Sequence, residues 1–326
     1  MRILSEFQPM KLANLIFSSV LLLCAFGCSF QKKSASVSAL HFNWKAPQSF
    51  QVEELAEKKE NKFRILYKCE LVRTNEGFVL QWLDAKITEV NGEKVNDSKD
   101  LRQTVESIED SFRYPPFLID QNGRFIKVIN VEDSVKRASE MLDKIAPDKS
   151  GDRSKFYAKF GETETGRRVL NQVFGLIWQN WVEVWVDVGL AEGQTSSDEG
   201  TTMVFEGIEI PAKVKLTNLG AMKSNTNLLS LKYECELATT NFTAGLNDFI
   251  EKTTKETSLK SAGPITNAVS LKRSTILEVQ TERKTLKPHW AKRTLTSTVS
   301  VPGEDTENTL EVHEYKFIWD SEAHLN

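Results

Sequence analysis

The chain has few of the residue types that carry chemistry. It holds only four histidines and four cysteines among 326 residues. His41, His289, His313 and His324 stand singly, and no GxSxG, HExxH, CxxC, GxxxxGKS or GxGxxG occurs. These absences leave the motif-bearing hydrolases, zinc proteases, dithiol oxidoreductases and nucleotide-binding folds without support. The reading is a non-enzymatic chain with no metal and no cofactor. His313, in the alternating VHEYKFIW segment, reads as a packing or solvent-facing strand residue, and Glu162 and Glu164 as solvation. The acidic stretch 196–200 lacks the Gly and Glu spacing of a calcium loop. An excess of one charge is missing too, with 42 Lys and Arg against 45 Asp and Glu, a net charge of −3 and no basic stripe. Nucleic acid is therefore excluded as a partner.

Long apolar runs are absent, with one exception. After Lys11 the run LANLIFSSVLLLCAFG occupies 12–27 and is followed by Cys28, Ser29 and a polar segment with Lys32 and Lys33. It is shorter than the roughly 20 residues that cross a bilayer as a helix, so it reads as a removable export leader. A start at Met10 rather than Met1 would give that leader the usual short basic lead.

Ala25, Phe26, Gly27 and Cys28 resemble the lipobox of bacterial lipoproteins, with Ala25 and Phe26 standing where that pattern has Leu and Ala or Ser. The resemblance implies cleavage before Cys28, acylation of its thiol and a membrane-anchored mature protein in the cell envelope. Ser29, where an Asp would favour the inner membrane, implies the outer membrane, facing the periplasm. Cleavage of the same bond by ordinary signal peptidase, leaving Cys28 unmodified, remains the alternative. The polar segment from 28 to about 50 reads as a tether, with one α+β domain over 51–326.

Without residues 1–27 the formal charge is about −4, and roughly 300 residues with 40% apolar content can bury a substantial core. Cys69 and Cys235 are then the only thiols besides Cys28. Tyr67, Cys69, Glu70, Leu71 and Thr74 in YKCELVRT recur as Tyr233, Cys235, Glu236, Leu237 and Thr240 in YECELATT. Period-2 alternation puts each cysteine on the buried face of its strand. In an oxidising compartment this predicts a Cys69–Cys235 disulfide, against two unconnected core thiols.

Strands are predicted over FRILYKCELVRT and GFVLQWLDAKITEV, with turns at Asn75–Gly77 and Asn91–Gly92, then a helix over DLRQTVESIEDSF. A short hairpin about Asp120–Gly123 follows, then a helix over VEDSVKRASEMLDKI and a linker near 146–155. In GRRVLNQVFGLIWQNWVEVWVDVGL, Phe174, Trp178, Trp181 and Trp185 fall on one helical stripe over at least 166–180, while 181–188 also alternates as a strand would. GLAEGQTSSDEGTT reads as a loop, with a possible sub-boundary at 190–202. MVFEGIEIPAKVKLT, NLLSLKYECELAT, AVSLKRSTILEVQTE, HWAKRTLTSTVSV and TLEVHEYKFIW read as successive antiparallel strands, with a short helix over LNDFIEKTTKET.

The predicted fold is α+β, a large curved antiparallel sheet with helices packed on one face. In element order and cellular address it is similar to the lipoprotein-carrier fold of bacterial envelopes. That resemblance implies a concavity for an apolar ligand or lipid, lined here by Phe174, Trp178, Trp181, Trp185, Tyr67 and Tyr233. The competing reading is a structural or assembly lipoprotein whose sheet edge or loops bind another envelope protein.

Overall fold

The computed structural model describes residues 39–106, 113–137, 159–205, 208–239, 243–257, 265, 267–303 and 305–320. The leader, Cys28 and the linker near 146–155 lie outside the described residues, as do parts of the first two predicted helices.

The described strands form one twelve-stranded antiparallel sheet. In chain order they are β1 (Gln48–Lys58), β2 (Asn61–Arg73), β3 (Phe78–Val90), β4 (Glu93–Lys94), β5 (Phe117–Ile119), β6 (Phe125–Val128), β7 (Thr195–Phe205), β8 (Ile208–Met222), β9 (Asn225–Thr239), β10 (Ser270–Glu282), β11 (Pro288–Ser300) and β12 (Glu307–Trp319). Helices α1 (Lys99–Glu106), α2 (Glu164–Trp181) and α3 (Thr243–Thr257) interrupt them. The spatial order is β6-β5-β3-β2-β1-β12-β11-β10-β9-β8-β7, with β4 paired to β3. Two meanders thus meet where β1 pairs β12, in a register running from Phe50 opposite Trp319 to Lys58 opposite Glu311.

Alternation explains the sheet's sidedness. On β2, Ile65, Tyr67, Cys69 and Leu71 are buried, and on β9, Leu229, Leu231, Tyr233, Cys235 and Leu237 are. The intervening residues face solvent across a convex surface laced with charge pairs such as Arg64 with Glu53 and Glu89. At the Asn91–Gly92 turn both residues have positive φ, 51° and 86°, as a two-residue hairpin of primed type requires.

Helix α2 begins where Thr163 Oγ1 accepts the Gly166 N–H at 2.9 Å. Gly166 is required there, because a Cβ would meet the Phe160 carbonyl oxygen at 1.7 Å. The helix ends at Trp181 and a 3-10 turn over Glu183–Trp185 follows. The 181–188 ambiguity therefore resolves into a helix end, a 3-10 turn and a further turn at Val186–Asp187, where Asp187 has a φ of 62°, with no strand of its own.

Four expectations are corrected. The tether does not extend to residue 50: Phe42, Trp44 and Phe50 are buried and β1 starts at Gln48, because these aromatics supply enough apolar area to dock the segment. The stretch read as the loop GLAEGQTSSDEGTT contains most of β7, an edge strand whose inward positions Ser196 and Thr202 are small and polar, so it lacked an apolar signature. MVFEGIEI, read as part of one strand, spans the β7–β8 connection. Finally, Cys69 and Cys235 face inward as predicted but are two buried thiols, not a disulfide. Four strands, β1, β12, β11 and β10, separate β2 from β9. At about 4.8 Å per strand the path along the sheet is roughly 24 Å, against the ~7 Å between Cα atoms that a bridge tolerates.

Candidate functional site

The concave face is built around an aromatic layer that α2 completes. Trp181 projects from the last turn of α2 onto the inward faces of β3 and β12, with its ring 5.5 Å from Trp82, 5.5 Å from Tyr315 and 4.9 Å from Phe317. One turn earlier, Trp178 stands edge-on to Phe42 and Trp44 at 5.7 and 5.3 Å and donates its indole N–H to the Gly123 carbonyl at 2.7 Å. Tyr67 extends the layer through Trp82 at 5.1 Å and Tyr114 at 5.5 Å. Such offset and edge-to-face pairs add roughly 0.5–1.5 kcal/mol each beyond area burial.

The residues predicted from sequence divide accordingly. Tyr67, Trp178, Trp181, Trp185 and Tyr233 all belong to the main core cluster. Phe174 instead turns toward a small valine cluster of Val128, Val131 and Val135, and meets the layer at Tyr114, 6.4 Å away between ring centroids. Trp185 keeps its burial from the 3-10 turn rather than from the helical stripe. Tyr233 lies on β9, with four strands between it and the β2 strand of Tyr67. Trp178 and Trp185 have 0% of their surface exposed, so α2 packs onto the concave face directly. Among the described residues the indole N–H groups of Trp44, Trp82, Trp181 and Trp185 are buried without an acceptor.

Beside this layer lies a polar group that the sequence did not announce. Glu54 occupies an inward position of β1 between apolar neighbours and is 1% exposed. Its Oε2 accepts the Tyr67 hydroxyl at 2.9 Å, and its Oε1 accepts from His313 Nδ1 at 2.7 Å. Tyr315 also hydrogen-bonds Glu54, and Tyr114 bonds Tyr67. Burial first, and the charge of Glu54 next, hold the Tyr67, Tyr114 and Tyr315 phenols well above their ordinary range. His313 is 24% exposed and lies opposite Arg293 in the β11–β12 register. One ladder step further, Glu311 of β12 pairs with Lys58 of β1 at 2.8 Å. No recognisable motif carries this belt, since its members come from four segments spread along the chain. The one local sign was a glutamate at an inward position of an alternating strand.

A second polar group closes the helix–hairpin junction. Arg124 reaches Asp187 at 2.9 Å and His41 lies 3.3 Å from the same carboxylate. Nearby Glu183 is pushed from 4.5 to about 7 by burial, against the Phe125 N–H and Arg124, which favour its charged form. Among the described residues no cluster of metal-ligating side chains forms, and no helix is long and apolar enough to cross a membrane.

The fold defines the class: an α+β protein in which helices lie against the concave face of one large antiparallel sheet. No protein-family model matches the chain, and no curated protein does. Among solved structures it is similar to a chain described as "Lipid-protein interactions in lipovitellin", with a TM-score of 0.34 and 10% identity. That similarity covers 84% of this chain and 24% of the other, so this chain spans about a quarter of its neighbour's length.

Proposed function

We propose that this chain is a lipid-anchored envelope lipoprotein that binds a lipid-like or otherwise apolar ligand between α2 and the concave sheet, without transforming it. The observation that carries the reading is the junction itself. It is aromatic throughout, yet the indole N–H groups of Trp82, Trp181 and Trp185 are buried without acceptors. Each such donor costs about 1–3 kcal/mol, which phenylalanine in the same places would avoid. An apolar ligand with ester or carboxyl oxygens, inserted as α2 lifts, would supply the missing acceptors. Cys28 would hold the domain at the outer membrane through its acyl chains, on the periplasmic side.

The test is organic extraction and mass spectrometry of protein purified from membranes, with titration by an apolar fluorescent probe. A stoichiometric lipid, or probe binding displaced by one, supports the reading. Absence of both removes it. Mass spectrometry of the N-terminal peptide tests the anchor separately, and an unmodified Cys28 would refute that part.

A second reading, docking of another envelope protein, is favoured by a different observation. The edge strand β7 runs eleven residues, pairs only with β8 among the described strands, and is exposed over most of its length. Such an edge offers unpaired backbone groups to an added strand. A Pro substitution at Thr201 that abolishes capture of a defined envelope partner, while leaving lipid binding intact, would favour it.

A further inference from the structure

The belt beside the aromatic layer carries more charge than its internal pairs use. Glu54 is hydrogen-bonded by His313 and Tyr67, and Glu311 is paired with Lys58. Arg293 remains. It is inward-facing and half-buried on β11, between the buried neighbours Ala291 and Leu295. Among the described residues it has no carboxylate within ion-pair distance, and its field reaches the phenols of Tyr114 and Tyr315. A half-buried guanidinium without a partner is costly in an interior, whereas one that meets an incoming anion forms a charge-assisted, bidentate contact. Tyr315 belongs to both regions: its ring packs on Trp181 and its hydroxyl reaches Glu54, so the aromatic layer leads directly into the belt.

Resting on the function proposed above, we infer that the ligand is a single-chain amphiphile with an anionic head group, whose head is held by Arg293 beside His313 while its chain lies in the aromatic layer around Trp181. The negative charges facing this position are Glu54, hydrogen-bonded by Tyr67 and His313, and Glu311, paired with Lys58. His313 reinforces the site, because its Nδ1 is engaged by Glu54 and no contact of its Nε2 is formed among the described residues. A carboxylate and a phosphate monoester share the required chemistry.

The experiment uses full-length protein and displacement of an apolar fluorescent probe by palmitic acid, methyl palmitate and hexadecyl phosphate. Wild type binds the two anions at least about tenfold more tightly than the ester. Arg293→Gln abolishes that preference and leaves ester binding unchanged, and Arg293→Lys retains most of it. Tighter binding of the phosphate than of the acid names the phosphate head group, and the reverse names the carboxylate. Equal binding of ester and acid by wild type, or a preference that survives Arg293→Gln, overturns the inference and leaves the proposed function standing. Loss of ester binding in Arg293→Gln also overturns it, by assigning Arg293 a packing role. Failure of all three compounds to bind wild type overturns both readings.

Discussion

His313 Nδ1 lies 2.7 Å from Glu54 Oε1, joining β12 to β1 across 259 positions of sequence. Glu54 is almost fully buried, so removing a partner leaves charge behind rather than simply deleting a bond. His313→Ala is expected to cost about 2 kcal/mol, below the buried-pair range because His313 is partly exposed. Glu54→Gln and the double variant complete a cycle in urea. Additive effects within about 0.3 kcal/mol would show that the two residues are not coupled.

Truncating Trp178 to Ala is expected to cost about 3–5 kcal/mol. The ring is fully enclosed between Phe42, Trp44 and Phe117, and its N–H is satisfied by Gly123. Chemical denaturation measures this. A loss below about 1 kcal/mol would mean that the ring lines space rather than core.

Cys69 and Cys235 should both alkylate in denatured protein that has seen no reductant, as peptide mass spectrometry would show. In the native protein Cys69 should react slowly, because burial raises its thiol well above the ordinary value. A linked Cys69–Cys235 peptide would contradict the arrangement of β2 and β9 described here.

Glu183 gives a pH dependence with a defined sign. Its folded-state value of about 7 lies above the ordinary 4.5, so the folded protein holds this proton more tightly than the unfolded chain does. The associated stability is present in full below the ordinary value and is lost as pH rises to about 7, by roughly 2–3 kcal/mol. Glu183→Gln should therefore stabilise the protein at pH 8 and change little at pH 4.5. Thermal melts at the two pH values read the difference, and equal shifts at both would remove the argument.

The strands with strong alternation were legible: β2, β3 and β9 appear where period 2 places them, and α2 carries Phe174, Trp178 and Trp181 of the aromatic stripe, with Trp185 in the turn after it. What escaped were elements whose burial depends on remote partners. β1 has an apolar face over Phe50 and Val52 but then turns to Glu54, whose place inside is justified by His313, Tyr67 and Tyr315 from other strands. β7 is a strand because β8 offers it a ladder, since its own side chains bury little. The cysteine pairing failed for a similar reason. Matching local faces say nothing about how many strands lie between them.

The middle strand of the sheet is β12, with five strands on either side along the path. It is also the last described strand to leave the ribosome. Each meander can zip locally as it emerges, but the seam between them closes only when β12 arrives, at a high cost in loop entropy and therefore slowly. Until then β1 and β11 present bare ladders to any neighbouring chain. A late-synthesised keystone leaves the two half-sheets unjoined until nearly all of the described chain has been made. A truncation or bulky fusion near residue 319 would thus act on the centre of the molecule.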